Sequence, residues 1–186
     1  MNPRRPTRAR GVLRVLGRRS FMAAGLVLLG FGRRAWAQLV DPPAPVRYAT
    51  LTRPVRIPIE AIKGPWQPVP FVAEAAARVP QPRRVLISGV LFRTDTQLSA
   101  LCVTCPHEQC QVDLVTDQAR LARMVGQTAA HPLFECGCHF SVFDAAEGGA
   151  RVSGESPRGL YRFRVTDVRD GMVEISEIEE AALFEV

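Results

Sequence analysis

Residues that can bind metal are concentrated in one stretch of this 186-residue chain, between positions 102 and 143. The stretch holds all five cysteines and all three histidines. Two short motifs stand out in it, CPHEQC at 105–110 and CGCHFS at 136–141, and each supplies one cysteine and one histidine. Thiolates and imidazoles are good donors for soft and borderline metals. The sequence therefore predicts a metal site on two tight loops, with four candidate ligands: Cys105, His107, Cys136 and His139.

Each motif also carries one further cysteine, Cys110 in the first and Cys138 in the second. This suggests a disulfide that ties the two loops together. The fifth cysteine, Cys102, lies three residues before Cys105, so a C-x-x-C pair is one interpretation. We favour a buried free thiol, because unpaired cysteines commonly pack as small hydrophobic residues.

The pattern C-x-H-x-x-C followed by C-x-C-H resembles the Rieske iron–sulfur family, in its disulfide-containing type. The resemblance implies a 2Fe–2S cluster in which Cys105 and Cys136 bind one iron, His107 and His139 bind the other, and Cys110 pairs with Cys138. Neutral imidazoles in place of thiolates raise the potential of such clusters to roughly −150 to +300 mV, against about −400 mV for plant-type clusters. A zinc-stabilised secreted binding module is the alternative, although zinc sites usually pair like ligands with like.

The residues after the second motif refine the resemblance. Ser141 matches a serine whose hydroxyl donates a hydrogen bond to a cluster sulfide in the family. Phe143 stands where relatives often have a tyrosine that donates to a cysteine sulfur, so we expect a lower potential than in relatives with both donors. With Phe140 in place of a usual glycine, CHFSVFD is more similar to the small subunit of arsenite oxidase than to cytochrome bc proteins. Pro157 resembles the proline-bearing loop that covers the cluster.

Residues 1–37 have the composition of an export signal. They contain nine arginines, no acidic residue, an apolar run of eleven residues at 21–31 and the tripeptide Ala-Trp-Ala at 35–37. That order is typical of a signal peptide, and Arg18-Arg19 before Ser-Phe-Met resembles a twin-arginine signal. We therefore expect export to the periplasm and cleavage before Gln38. The alternative is an uncleaved anchor in the inner membrane, as Rieske subunits of cytochrome bc complexes usually have, although a spanning helix needs about 20 apolar residues.

Net charge gives no indication of nucleic-acid binding once the leader is set aside. The whole chain carries +6, but nine of its 24 basic residues lie in the leader, and the remaining 15 basic and 18 acidic residues give −3. No basic patch with interleaved aromatic residues is present, so we do not expect a nucleic-acid partner. An oxidising compartment after export would allow the predicted disulfide.

The pattern after the leader predicts an all-β fold, and the Rieske resemblance implies an antiparallel, sandwich-like base domain with a small cluster-binding subdomain at about 100–160. Residues 38–47 are expected to be a proline-rich lead-in, and the resemblance implies a Rieske domain over 48–186. Residues 69–79 fit either a strand or a short helix. We expect strands at 55–62 (at an edge because of Pro58), 84–92 (with Gly89 as a bulge) and 98–103, and a closing hairpin of 161–165 with 171–178.

The segment 111–135 is interpreted as an insertion with a short helix over 117–124, capped by Asp117 and ended by Gly126. His131 lies in this insertion and is expected to be a surface or packing residue. Since it is the only spare histidine, a second iron site of the two-His-one-carboxylate type cannot form, which argues against an oxygenase large subunit. The acidic tail predicts a solvated edge, or alternatively a docking surface for a basic cytochrome. Its acids are Glu174, Glu177, Glu179, Glu180 and Glu185.

These features together imply one-electron transfer in the periplasm. No nucleophile with a matching base is visible, so we do not expect the chain to catalyse bond chemistry by itself. The resemblance favours the small subunit of an arsenite-oxidase-like enzyme, which takes electrons from a larger molybdenum subunit and passes them to a c-type cytochrome. The alternative is the Rieske subunit of a quinol–cytochrome c oxidoreductase, which works beside cytochrome b.

Overall fold

The computed structural model of the protein describes residues 45–78 and 83–185. The predicted leader and most of the lead-in lie outside these residues. Among the described residues, no helix is both long enough and apolar enough to span a membrane.

Six antiparallel strands form the base sheet, in the order β1-β10-β9-β4-β3-β2. The two terminal strands of this order approach one another, since Arg53 on β1 forms an ion pair at 3.1 Å with Glu74 on β2. The sheet is therefore nearly closed, around a core of aliphatic and aromatic side chains such as Leu91, Phe163 and Ile175. The strand bounds are β1 Tyr48–Pro58, β2 Val69–Ala76, β3 Arg84–Arg93, β4 Leu98–Cys102, β9 Arg162–Arg169 and β10 Met172–Glu179.

A second antiparallel sheet of four strands is inserted between β4 and β9, in the order β5-β6-β7-β8. Its strands are β5 Val112–Val115, β6 Leu133–Cys136, β7 Val142–Asp144 and β8 Ala150–Ser153. A second apolar core joins the two sheets, because Phe92 and Leu101 of the base sheet pack with Phe134 and Phe143 of the inserted sheet. The all-β fold is thus confirmed, with the first predicted loop between β4 of the base sheet and β5 of the inserted sheet and the second between β6 and β7.

Two local predictions for the base sheet need correction. Gly89 is not a bulge, because β2 and β3 pair in unbroken register through it. A glycine is required there because a Cβ atom would lie 2.5 Å from the Phe71 ring and 2.8 Å from the Phe163 ring. The strand predicted at 55–62 ends at Pro58 and gives way to a 3-10 helix at Ile59–Ala61. The ambiguous segment 69–79 contains the strand β2.

The insertion contains the predicted helix, α1 Gln118–Val125, between β5 and β6. The Asp117 carboxylate accepts a hydrogen bond of 2.7 Å from the Arg120 amide, and Gly126 ends the helix with φ +72°. Both are ordinary capping signals. The last described element is a short helix, α2 Ala182–Glu185.

Candidate metal centre

The first predicted loop is a tight excursion between paired strand ends. Thr104 and Gln111 form an isolated β-bridge, which fixes both ends of the segment 105–110. Within it, the Cys105 amide donates to the carbonyl of Cys110 at 2.8 Å, and the Gln109 amide donates to the carbonyl of Cys105 at 3.0 Å. The backbone therefore folds back on itself.

The second loop follows β6 and repeats this construction. The Cys136 amide donates to the carbonyl of Ser141, five residues later, at 2.9 Å. A disulfide joins Cys110 to Cys138, with Cα atoms 6.6 Å apart, so this predicted pairing is present in the structure. The sulfur atoms of Cys110, Cys136 and Cys138 lie within 4.8 Å of one another, which brings the two loops together at the end of the inserted sheet.

The four candidate ligands divide into a buried pair and an exposed pair. Cys105 and Cys136 are 1% and 2% exposed, and their thiols interact directly inside the core that joins the sheets. His107 and His139 are exposed, and their ring centroids are 4.8 Å apart. The structure thus brings each cysteine next to the other cysteine and each histidine next to the other histidine.

The buried thiol of Cys105 is in an environment that disfavours a bare thiolate. Burial raises the pKa of this thiol above its usual value, and the adjacent Cys136 thiol adds to the rise. The His107 backbone and the Ser156 hydroxyl act in the opposite direction through hydrogen bonds. A bound cation would supply the positive charge that two neighbouring buried thiolates need.

A third loop, residues 154–160, packs over the two cysteine loops. The Ser156 amide donates a hydrogen bond of 3.0 Å to the Ser141 hydroxyl oxygen, and both serines are buried. Gly154 has φ +92°, and a Cβ there would lie 2.3 Å from the Cα atom of Ser141, so only glycine permits this approach. Because the Ser141 oxygen accepts from Ser156, its hydroxyl proton is left to donate elsewhere.

The third loop is anchored to the base sheet through a buried carboxylate. Glu179, at the end of β10, is 1% exposed and accepts from Arg158 at 2.5 Å and from Arg162 at 2.7 Å. The Arg158 guanidinium also lies 4.3 Å from the centroid of the Tyr161 ring, and its backbone carbonyl accepts from the Ser156 hydroxyl at 2.8 Å.

This ion-pair geometry corrects the prediction of a solvated acidic edge. Glu179 is buried, and three other tail acids are ion-paired within the fold: Glu174 with Arg56, Glu177 with Arg164 and Glu180 with Arg78. Four of the five tail acids are therefore paired within the fold, and the side chain of Glu185 lies outside what the structure describes. The alternative interpretation, a docking surface for a basic cytochrome, stays a prediction.

The remaining predicted residues lie outside the ligand set. Cys102 is a buried free thiol, as expected, and burial raises its pKa. His131 packs on the Trp66 ring at 5.8 Å between centroids, with its Nδ1 atom 3.6 Å from the Asp144 carboxylate. Phe143 is fully buried in the same core as Cys105 and Cys136.

Sequence analysis missed four residues around the site: Glu108, Ser156, Arg158 and Glu179. Glu108 is exposed, with a carboxylate oxygen 3.8 Å from Nδ1 of His139. Ser156 and Arg158 flank Pro157, the residue by which the sequence predicts a loop over the cluster. Their positions in that loop are therefore predictable from sequence, but their contacts are not. Glu179 offered no signal, because an acid within an acidic tail gives no sign that it is buried.

The donor set fits a 2Fe–2S cluster. Two buried thiols and two adjacent imidazoles would supply two ligands to each of two irons, with the thiols on the protein side and the imidazoles on the solvent side. A family model described as the Rieske 2Fe-2S domain matches residues 65–164, more than half of the chain and both cysteine loops. No curated protein matches the chain.

Proposed function

Since the chain belongs to the Rieske 2Fe-2S domain family, we propose that it is a periplasmic electron-transfer protein, the small subunit of an arsenite-oxidase-like oxidoreductase. Membership in the family makes it an iron–sulfur electron-transfer protein that binds a 2Fe–2S cluster. The zinc-stabilised binding module is thereby set aside.

The proposed ligands are Cys105 and Cys136 on the inner iron and His107 and His139 on the outer iron. The single observation that carries this assignment is that the four side chains form two pairs. The two thiols are buried and in contact, and the two imidazoles are exposed with their ring centroids 4.8 Å apart. When bound, the cluster supplies one-electron redox chemistry. Buried cysteines exclude water from its inner side, and exposed histidine edges provide the route by which an electron enters or leaves.

Ser141 and the Cys110–Cys138 disulfide support the proposed ligands. Ser141 would donate its hydroxyl proton to a cluster sulfide, because its oxygen already accepts from the Ser156 amide at 3.0 Å. The Cys110–Cys138 disulfide holds the two ligand-bearing loops together. These contacts position the ligands before the cluster binds, which limits the reorganisation that accompanies electron transfer.

The ligand assignment is tested by replacing one cysteine at a time. We expect Cys105→Ser to lose the electron paramagnetic resonance signal of the reduced cluster and the visible absorption of the oxidised cluster. Most of the bound iron should be lost as well. Cys102→Ala is the matched control, since Cys102 is equally buried but points to the base core. Retention of a normal cluster in Cys105→Ser, or its loss in Cys102→Ala, would show that the ligands are misassigned.

The periplasmic assignment rests on the leader composition and on the disulfide, which forms in oxidising compartments. The CHFS motif supports an arsenite-oxidase-like complex with a larger molybdenum subunit and a c-type cytochrome acceptor. The test is purification from the native host, with soluble periplasm and membranes kept separate. We expect the protein in soluble periplasm, beginning at Gln38, with a molybdenum-containing partner. Recovery in membranes with a b-type cytochrome and an intact leader would establish the quinol-oxidising alternative.

A further inference from the structure

Phe140 is an exposed aromatic residue held in a backbone conformation that disfavours it. Its side chain is 71% exposed, and its φ of +54° lies in the left-handed region, where a Cβ atom is unfavourable. The ring buries little surface and the backbone is strained, so neither stabilises the isolated chain. Backbone outliers of this kind concentrate at binding sites and active sites.

Phe140 directly follows His139 in the second loop, at the end of the fold where the histidines are exposed. On its other side an open groove of about 460 Å³ separates it from α1. Met124 of α1 and Val142 of β7 add further apolar surface to this groove. A protein that reached the His139 edge beside this groove would bury the Phe140 ring.

The groove also carries positive charge. Arg120 and Arg123 of α1 line it together with one acid, Glu135, which is ion-paired with Arg120. Arg123 is exposed and forms no ion pair with any residue of 45–78 or 83–185. Charge complementarity therefore calls for a carboxylate on the partner, opposite Arg123.

We propose that the groove between α1 and Phe140 is the docking site of the electron-transfer protein that exchanges electrons through His139. This partner presents an apolar side chain to Phe140 and, beside it, a carboxylate to Arg123. The proposal rests on the proposed function, since it needs a cluster behind the histidines. It assigns the docking role to a helix and an aromatic residue of this chain, in addition to the exposed histidine edges. The contact buries the Phe140 ring that the isolated chain leaves in water.

The test compares full-length cluster-loaded variants by stopped-flow oxidation with purified c-type cytochromes, one acidic and one basic. We expect Phe140→Gly to lower the second-order rate constant with the acidic cytochrome about tenfold, as for an aromatic residue that contributes strongly to an interface. The melting temperature should stay unchanged or rise, because glycine relieves the strain at φ +54°. The control is Phe184→Ala, which removes a ring 58% exposed on α2 and should leave the rate unchanged.

A second variant tests the charge of the groove. Arg123→Glu should lower the rate constant for oxidation by the acidic cytochrome, and this rate constant should no longer fall as the salt concentration rises. Oxidation by benzoquinone, a small neutral oxidant, and the midpoint potential should be unaffected in both variants. A wild-type rate for Phe140→Gly with the acidic cytochrome, or equal slowing with benzoquinone, would overturn the docking site. If the wild-type protein itself shows no cluster signal, the proposed function fails, and that result is distinct from a loss of docking.

Discussion

Phe143 brings no hydrogen-bond donor to the core that surrounds the cysteine thiols of the site. It is completely buried in the core that contains Cys105 and Cys136, and its ring offers no donor. We predict that Phe143→Tyr raises the midpoint potential by roughly 40 mV, because a hydrogen bond of about 1 kcal/mol to a cluster sulfur favours the more negative, reduced state. A redox titration followed by paramagnetic resonance measures this shift.

The control for that variant is Phe92→Tyr, which adds the same hydroxyl to the same core from strand β3. Its potential should match the wild type if the effect comes from a sulfur contact and not from added polarity. An unchanged potential in Phe143→Tyr would contradict the account of Phe143 as a missing donor.

At the residue scale, the ligand candidates and the disulfide partners could be identified from sequence because their types and spacing are local. The Cys110–Cys138 pairing joins two motifs that each fit within six residues. Ser156 and Glu179 could not be identified this way, since their roles depend on contacts with residues 15 and 21 positions away. Such contacts exist only once both sheets have formed.

The third loop is joined to the base sheet by an ion pair between Arg158 and the buried carboxylate of Glu179. We predict that Glu179→Gln lowers the free energy of unfolding by about 2 kcal/mol, because two arginines lose their common charged partner, and each remains partly solvated. The loop should loosen at the same time, so an iron chelator should remove the cluster faster. Chemical denaturation and chelation kinetics measure the two effects.

Glu174→Gln is the matched control, because it removes a carboxylate from the same strand whose partner, Arg56, is 64% exposed. Its cost should stay below about 1 kcal/mol, and its chelation rate should equal that of the wild type. Equal chelation rates for the Glu179 and Glu174 variants would show that the loop does not need this anchor.

At the element scale, the helices and strands whose ends depend on neighbouring residues are the ones that the sequence predicts best. The helix α1 was found to within one residue because Asp117 and Gly126 are capping residues that act locally. The prediction of a bulge at Gly89 is wrong because this glycine is required by close contact with the rings of Phe71 and Phe163, which lie on other strands. The strands β5 and β6 were missed because each is four residues long and they pair across the intervening helix.

Within residues 45–78 and 83–185, the two larger apolar cores differ in their relation to the site. The core of the base sheet contains Cys102 but none of the proposed ligands, whereas the core between the sheets contains both Cys105 and Cys136. The all-β architecture could be predicted from alternating patterns and the family resemblance. The division into two cores could not, because it depends on how the inserted sheet packs on β3 and β4.

This division predicts how the protein responds to removal of iron. In the iron-stripped, oxidised protein, amide hydrogens in the base sheet should keep their protection from exchange, while those of 105–110 and 136–141 lose it, because only these loops carry the proposed ligands. Subsequent reduction of the Cys110–Cys138 disulfide should extend the loss to the inserted sheet, since the two loops are then no longer joined. Hydrogen exchange with mass spectrometry resolves these segments. Loss of protection in the base sheet on iron removal alone would mean that the cluster stabilises the entire fold, and the two cores would then have to unfold as one cooperative unit.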